Sequence, residues 1–332
     1  MYDLHDYARM IADEARMGPY VRALEAVVRP GSVVVDVGAG TGIFALVACR
    51  LGAKRVYAIE TNDVIEVGRE LARENGVADR IVFFHKDARE VELPERADVI
   101  VSDLRGALPL FGDHLAIIAD ARERFLKPGG VLVPARDRLM VAVVESPGLY
   151  ESALGPSRGP LGLTLESMRA RLCNRTGIDR DQEHRPIRPE NVVTNVAAWA
   201  TLEYANAELT PVAGRAPLSV NRASTGHGLV VWFDAELVGE HGFSSGPGQN
   251  TSCYARVFLP WPRPVALLEG DAVTVELWAQ VNGEPWGWNS SVIAARARMP
   301  AFKQSSFLSL QERPTALAKR LRSDAVAMPP SQ

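Results

Sequence analysis

The most constraining feature of the chain is a glycine-rich turn between a strand pattern and a helix pattern. Gly38, Gly40 and Gly42 follow the β-branched run at 33–37. Glycine lets the backbone turn sharply and approach a ligand where a Cβ would clash. A second β-branched run ends at Glu60, about 20 residues downstream, where a carboxylate can bind both ribose hydroxyls. The spacing predicts the first βαβ unit of an α/β fold that binds an adenosine-containing ligand.

The bulk composition is that of an ordinary globular protein. The chain has 332 residues, of which 47% are hydrophobic and 23% charged, and its formal net charge is -3. This length allows two domains with substantial cores, and the charge provides no basic field that would favour nucleic acid. The three cysteines lack metal-site spacing, and no signal peptide or membrane-length apolar run is present. We therefore expect a cytoplasmic protein without a metal site, a nucleic-acid partner or a membrane partner.

The pattern of strands and helices predicts two kinds of architecture. β-Branched runs at 33–37, 55–59, 81–84, 98–102 and 131–134 alternate with helical stretches, which predicts a parallel, doubly wound sheet. Residues 6–28 also look helical, and we expect Pro19 to split them into two helices. From 191 onwards the chain reads as a series of strands, which predicts an antiparallel β-domain.

The order of the glycines narrows the choice of ligand. A dinucleotide fingerprint reads GxGxxG, whereas this turn reads GxGxG and no second phosphate fingerprint follows. The chain also lacks the phosphate loop of nucleoside triphosphatases. The turn, with Asp36 before it, instead resembles motif I of class I S-adenosylmethionine-dependent methyltransferases, whose cofactor carries no phosphate. The resemblance implies that the turn passes under the methionine portion of the cofactor and that Glu60 binds its ribose.

The end of the third strand extends this resemblance. The segment 84–88, with Asp87 and Ala88, stands where these methyltransferases contact the adenine. An acid there can accept from the adenine amino group, and a backbone N–H can meet a ring nitrogen. The alternative is that Asp87 simply pairs with Lys86 or Arg89 at the surface.

A narrower resemblance, to the protein arginine methyltransferases, spans roughly residues 2–300. The segments 7–8 and 13–16 resemble the helix that closes over the cofactor in this family, where an arginine pairs with the cofactor carboxylate. In the second half, the segments 193–195 and 228–234 resemble parts of the family's β-barrel. The resemblance implies S-adenosylmethionine as cofactor, S-adenosylhomocysteine as product, and a homodimer. The implied cofactor-binding residues are Arg16, Asp36, Gly38, Gly40, Gly42, Glu60, Thr61, Asp87, Ala88 and Ser102.

The implied fold is a Rossmann-like methyltransferase domain followed by an antiparallel β-barrel domain. The expected boundaries are cofactor-covering helices over 1–28, the Rossmann-like domain over 29–136, the barrel over 137–300 and a polar, partly disordered tail over 301–332. An arm-like insertion over 147–190 stands where the family carries its dimerisation arm.

Three departures from the family pattern affect the expected acceptor. The family's hairpin after the fourth strand has two glutamates that bind the substrate guanidinium. Here Asp103 stands at the first position and Gly112 at the second, with Asp113 one residue later. Arg105 adds a positive charge inside the hairpin, which would repel a guanidinium. The family's Thr-His-Trp loop is replaced at 251–253, and Arg89 replaces a glutamate that flanks the adenine. A guanidinium without two carboxylates loses charge-assisted hydrogen bonds worth about 1.5–3 kcal/mol each.

These departures predict methyl transfer to a nitrogen or oxygen of a small molecule or peptide, and not to general protein arginine. Asp103 is expected to orient the acceptor or take its proton; the alternative is that it caps the hairpin or pairs with Arg105. Asp113 and His114 are further catalytic candidates that could instead begin a helix near 114. Two other hypotheses stay open. One is an arginine methyltransferase that uses Asp103 and Asp113 as a shortened acid pair. The other is a catalytically silent partner that binds cofactor and dimerises with an active homologue.

Overall fold

The structure is a computed structural model that describes residues 3–179, 187–249, 253–281, 286–294, 297–298 and 301–308. The α-helices in these ranges are α1 (Leu4–Ala12), α2 (Glu14–Val27), α3 (Ile43–Arg50), α4 (Ile65–Glu74), α5 (His114–Phe125), α6 (Pro147–Leu154) and α7 (Glu166–Leu172). Among the described helices, none combines the length and the apolar character that a membrane span requires.

Five parallel strands form the sheet of the N-terminal half: β1 (Val33–Val37), β2 (Arg55–Glu60), β3 (Ile81–His85), β4 (Ala97–Ser102) and β5 (Leu126–Val133). Their order is β3-β2-β1-β4-β5, so the strand order reverses beside β1. The register pairs Val37 of β1 with Ile59 of β2 and with Ser102 of β4. The carboxyl ends of these three strands therefore meet at one edge, which is the usual ligand position in such a sheet.

The break between the first two helices corrects the expectation for Pro19. Pro19 lies inside α2, and the break falls at Asp13. The carboxylate of Asp13 caps α2, because its Oδ1 accepts from the backbone N–H of Arg16 at 3.2 Å. The cap fixes where α2 begins, and it sets Arg16 in the first turn of that helix.

The remaining strands belong to two further sheets. They are β6 (Arg136–Val144), β7 (Gly177–Asp179), β8 (Ala197–Glu203), β9 (Val212–Ser219), β10 (Ser224–Val238), β11 (His241–Ser244), β12 (Arg256–Leu267), β13 (Ala272–Ala279), β14 (Trp286–Ala294), β15 (Ala297–Arg298) and β16 (Phe302–Ser305). One sheet has the order β7-β12-β10-β6-β8, with β11 paired to β10. The other has the order β15-β14-β13-β9, with β16 paired to β14. The pairs β10–β12, β13–β14 and β9–β13 are antiparallel.

The chain divides into two compact units. Unit 1 comprises residues 1–140, 200–211 and 232–256, and unit 2 comprises residues 141–199, 212–231 and 257–332. Every side chain of the candidate site described below belongs to unit 1. The domain boundaries expected from the sequence stay a prediction. Residues 180–186 of the expected arm and residues 309–332 of the expected tail lie outside the described residues.

Candidate functional site

The turn between β1 and α3 requires glycine for both conformation and space. Gly38, Gly40 and Gly42 have φ angles of +73°, +55° and +74°, in the left-handed region that other residues rarely adopt. A Cβ on Gly38 would collide with the side chain of Leu104, and a Cβ on Gly40 would lie 2.5 Å from Cε1 of Tyr7. The turn, called the glycine cradle below, therefore lies directly against Leu104 and Tyr7 and has no room for a side chain at Gly38 or Gly40.

Glu60, at the end of β2, is oriented by backbone groups around this turn. Its Oε2 accepts from the N–H of Gly40 at 2.8 Å. Its Oε1 accepts from the N–H groups of Thr61 and Asn62, each at 2.8 Å. These bonds hold the carboxylate in one orientation at the strand end, where it can also accept from a ribose diol.

A cavity of about 290 Å³ lies over the glycine turn, within unit 1. Six of the predicted site residues line it: Arg16, Gly38, Gly40, Glu60, Thr61 and Asp103. The other lining residues are Tyr7, Met10, Ile11, Ala39, Thr41, Ile43, Phe44, Asn62, Leu104, Gly106, Cys253 and Tyr254. These residues fit S-adenosylmethionine. The glycine turn allows close approach, and the carboxylate of Glu60 can accept from the ribose. The guanidinium of Arg16 can pair with the cofactor carboxylate, and the apolar lining can contact its hydrocarbon part.

Asp103 follows β4 and is buried and ion-paired. Its Oδ2 accepts from Nε of Arg16 at 2.6 Å and from the hydroxyl of Tyr254 at 2.5 Å. Its Oδ1 accepts from Nε of Arg105 at 3.2 Å. Burial alone would raise the pKa of Asp103, but the charges of Arg16 and Arg105 outweigh it and lower the pKa to about 2. Asp103 is therefore ionised at neutral pH and can bind a cation or an N–H donor.

Arg105 directs its charge away from the cavity. The side chain is fully buried and does not line the cavity. Its Nη1 donates to Oδ1 of Asp137 at 2.8 Å and its Nη2 donates to the hydroxyl of Tyr20 at 2.5 Å. Together with Asp103, Asp137 balances the positive charges of Arg105 and Arg16, so the cluster presents no uncompensated cation to an acceptor.

Four predicted cofactor residues are buried or part of the turn and do not line the cavity. Asp36 is fully buried in β1, where its Oδ2 accepts from the N–H of Ala45 at 3.0 Å. Burial raises the pKa of Asp36 to about 7. Gly42 directly precedes α3, and the side chains of Ala88 and Ser102 are buried. In this structure these residues support the fold around the cavity.

The remaining predicted residues also lie outside the cavity lining. Asp87 pairs with Arg89 at 2.6 Å, and the same guanidinium reaches Asp113 at 3.1 Å. The side chain of Asp113 is 49% exposed. His114 is fully buried, with Nε2 2.9 Å from the hydroxyl of Tyr204, and burial lowers its pKa to about 3. Asp113 and His114 thus do not join Asp103 at the cavity.

Two contact residues were missed from the sequence. Tyr254 contacts Asp103 across 151 positions of the chain, and Asp137 contacts Arg105 across 32. Neither residue lies in a short motif, so no local signal marked it. Tyr254 directly follows the segment 251–253, and its position beside that altered loop is the one hint that the sequence offered.

Comparisons with known proteins agree with this geometry. The family model of the ribosomal protein L11 methyltransferase (PrmA) matches residues 20–134. Probable protein arginine N-methyltransferase 6 of Arabidopsis thaliana is 32% identical over 260 residues, which cover 75% of this chain and 58% of that protein. The chain thus spans less than two thirds of that plant relative. Protein arginine N-methyltransferase 6 of Danio rerio is 30% identical over 294 residues, which cover 85% of this chain and 81% of that protein.

Solved structures support the predicted fold class. One is the Trypanosoma brucei PRMT1 enzyme-prozyme heterotetrameric complex with AdoHcy, with a TM-score of 0.79 at 20% identity over 90% of this chain and 96% of that chain. Another is Arabidopsis thaliana protein arginine methyltransferase 10, with a TM-score of 0.76 at 20% identity over 91% of this chain and 97% of that chain. The predicted Rossmann-like domain with a following antiparallel β-domain is confirmed.

The prediction that the acceptor is not general protein arginine is wrong. The relatives from Arabidopsis thaliana and Danio rerio are both named protein arginine N-methyltransferases. The error has a physical reason in Arg105, which we expected to repel a guanidinium. Its charge is buried away from the cavity and balanced by Asp103 and Asp137. Oδ2 of Asp103 accepts from Arg16 and Tyr254, which line the cavity.

The resemblance noted in the sequence is therefore confirmed at the level of family. Identity of 30% over most of both chains extends well beyond motif I, and it includes the parts of the chain that follow the Rossmann-like sheet. The chain belongs to the protein arginine N-methyltransferase family.

Proposed function

We propose that this protein is an S-adenosylmethionine-dependent protein arginine N-methyltransferase in which Asp103 orients the acceptor guanidinium. The observation that carries the proposal is one cavity lined by the glycine turn, Glu60, Arg16 and Asp103. A cofactor cradle and a permanently ionised carboxylate thus border the same space.

The cofactor would be held by residues of this cavity. The turn at Gly38 and Gly40 allows close approach of the methionine portion, Glu60 accepts from the ribose, and the guanidinium of Arg16 suits the cofactor carboxylate. S-adenosylmethionine, when bound, supplies an activated methyl group on a sulfonium. The protein then has to align the acceptor nitrogen and exclude water.

Asp103 is suited to orient an arginine. Its Oδ2 accepts from Arg16 and Tyr254, which both line the cavity, so an acceptor N–H that displaces one of these donors meets this oxygen. A carboxylate that accepts from one guanidinium nitrogen keeps the positive charge near itself and leaves another nitrogen free to act as nucleophile. Asp113 is half exposed and paired with Arg89, so the proposal does not require it.

Methyl transfer to arginine-rich peptides, measured by mass spectrometry, tests the proposal. We expect the wild type to methylate arginine and Asp103→Asn to lose roughly 10²-fold or more in kcat/KM while it still binds the cofactor. Asp113→Asn is the matched control and should retain most of the activity. Full activity of Asp103→Asn would reject the role of Asp103, and wild-type transfer only to other groups would reject the function.

A second candidate function is a cofactor-binding partner without its own turnover. The observation that favours it is the saturation of Asp103, which accepts from Arg16, Arg105 and Tyr254. The similar Trypanosoma brucei PRMT1 structure is named as an enzyme-prozyme heterotetrameric complex. This candidate predicts tight cofactor binding, no methylated product from the protein alone, and activity only after mixing with an active homologue.

The proposed arginine methyltransferase includes the homodimer that was predicted from the sequence. Leu161, Leu163 and Met168 lie in the expected arm and are fully exposed, 64% exposed and 41% exposed. Large apolar side chains that are exposed in one segment can be buried against another protein. We propose a second copy of this chain as the partner and, from the three unpaired cysteines, a reducing compartment such as the cytoplasm.

A further inference from the structure

Arg105 lies in a site that is built like a receptor for a guanidinium. Its Cζ lies 5.0 Å from the ring centre of Phe233, 5.2 Å from that of Phe243, 5.7 Å from that of Tyr254 and 5.8 Å from that of Tyr20. Cations are stabilised over aromatic faces at such distances, most strongly where water is excluded. The side chain is fully buried, so this ring of four aromatic residues holds the guanidinium in one position.

The two oxygens of Asp103 face different partners. Oδ1 accepts from Arg105, which does not line the cavity, whereas Oδ2 accepts from Arg16 and Tyr254, which do. A carboxylate that is tied at one oxygen cannot rotate freely about its side chain. The bond from Arg105 at 3.2 Å therefore fixes Oδ1 on the side away from the cavity, while Arg16 and Tyr254 hold Oδ2 on the other side.

The position of Arg105 is set in turn by residues far away in the sequence. Asp137 accepts from Arg105 with Oδ1 and from the hydroxyl of Tyr204 with Oδ2, at 2.8 Å and 2.6 Å. The hydroxyl of Tyr204 also lies 2.9 Å from Nε2 of His114. His114 thus acts as the outer member of a buried network that ends at Asp103.

We infer that Arg105 is a positioning residue for methyl transfer: it holds the Asp103 carboxylate in the orientation that presents Oδ2 to the acceptor. The inference rests on the proposed function, because it assigns Asp103 to the acceptor. Arg105 itself touches neither the cavity nor a reacting atom. Arg105 is a fixed internal cation. By orienting Asp103, it takes over part of the role that a second acid would have in orienting the acceptor.

The charge of Arg105 has a measurable effect on the pKa of Asp103 that a purely structural role would not produce. The cations beside Asp103 are Arg16 of α2 and Arg105 of its own hairpin, and Tyr254 donates to it. The other titratable groups that interact with its charge are Tyr20, His114, Asp137 and Cys253. Removal of Arg105 leaves Arg16 as the single cation on Asp103 among the described residues. The pKa of Asp103 must then rise, and the acid limb of the kcat/KM profile must move to higher pH.

The test uses Arg105→Ala with guanidinium chloride added at concentrations too low to unfold the protein. We expect a roughly 10²-fold loss of kcat/KM, little change in cofactor affinity, and partial recovery when free guanidinium enters the emptied site. Arg136→Ala is the matched control, because Arg136 is 45% exposed and pairs with Glu203 and Glu236 instead. It should show neither the loss nor the recovery.

A double variant guards against misfolding. Arg105→Met leaves Asp137 buried without its cation, and adding Asp137→Asn removes that unpaired charge. In this double variant, carbon NMR of labelled aspartate should show Asp103 titrating at higher pH than in the wild type. An unchanged Asp103 titration together with no recovery by guanidinium would overturn the inference. A shifted titration in a protein whose wild type never methylates arginine would instead overturn the proposed function and keep the link between Arg105 and Asp103.

Discussion

At the scale of the residue, burial and neighbours decide what each polar group of this protein can do. Asp36, Asp103 and Asp113 are all acids near the same sheet edge, yet their states differ. Burial raises the pKa of Asp36 to about 7, whereas Asp103 is buried between two arginines and its pKa falls to about 2. Asp113 is half exposed and paired with Arg89. Among the three, Asp103 is the one that lines the cavity.

Glu60 gives a prediction at this scale. Glu60→Gln keeps the size of the side chain, but an amide is a weaker acceptor for a diol and turns a donor toward one backbone N–H. We expect cofactor affinity to fall roughly 10- to 100-fold, which calorimetric titration with S-adenosylhomocysteine would measure. Glu66→Gln, on the exposed face of α4, is the control and should bind normally. Equal affinities for the two variants would contradict the ribose role of Glu60.

At the scale of the element, the site is formed by short connections whose ends are fixed by capping and by glycine. α2 begins at Glu14 because Asp13 caps it, and this brings Arg16 to Asp103. In the loop between β1 and α3, the N–H of Gly40 donates to Glu60, and Gly40 lies against Tyr7 of α1. The same elements that form the cavity therefore also carry its charged groups.

The glycine turn gives a prediction for this scale. Gly40→Ala would force a side chain into a left-handed backbone conformation and against Tyr7, so we expect both lower stability and cofactor affinity reduced at least tenfold. Gly129→Ala is a matched control, because Gly129 has φ +76° but nothing within 4 Å of an added Cβ. Thermal unfolding should show a loss for both variants, and binding a loss for Gly40→Ala alone. Normal binding by Gly40→Ala would show that the ligand does not need the cradle.

At the scale of the whole molecule, family membership accounts for the combination of a parallel sheet with a long antiparallel part. The solved structures share this fold over about nine tenths of the chain at 20% identity. Fold at that identity does not carry function, so the acceptor has to be argued from the cavity. The oligomeric state has to be argued from the surface in the same way.

The expected homodimer is the prediction at this scale. Leu161→Glu combined with Leu163→Glu adds two charges to an exposed apolar surface, so we expect light scattering to find monomers at concentrations where the wild type is dimeric. Leu268→Glu is the control, because Leu268 is 65% exposed outside the expected arm and its substitution should leave the dimer intact. Dimers in both variants would contradict the arm, and a monomeric wild type would contradict the dimer.

The sequence by itself determined the features that depend on local spacing. β-Branched runs separated by helical stretches predicted the parallel sheet, and the spacing from the glycines to Glu60 predicted which strand ends meet. These features follow from chain geometry within a few tens of residues. The fold class was therefore predictable, whereas Arg16 and Asp103 were expected at the site only from the resemblance to the arginine methyltransferases.

Only the tertiary structure decided which charges meet and in which direction they point. The sequence predicted that Arg105 would repel an acceptor. In the structure its side chain is buried, pairs with Asp137 and lies near four aromatic rings. Tyr254 bonds to Asp103 across 151 residues, and Asp113 is drawn to Arg89 instead of the cavity. Local spacing does not encode such contacts, because they depend on packing between elements that are distant in the chain. The physical reason is that the charge state of a buried acid depends on its partners in space and not on its neighbours in sequence.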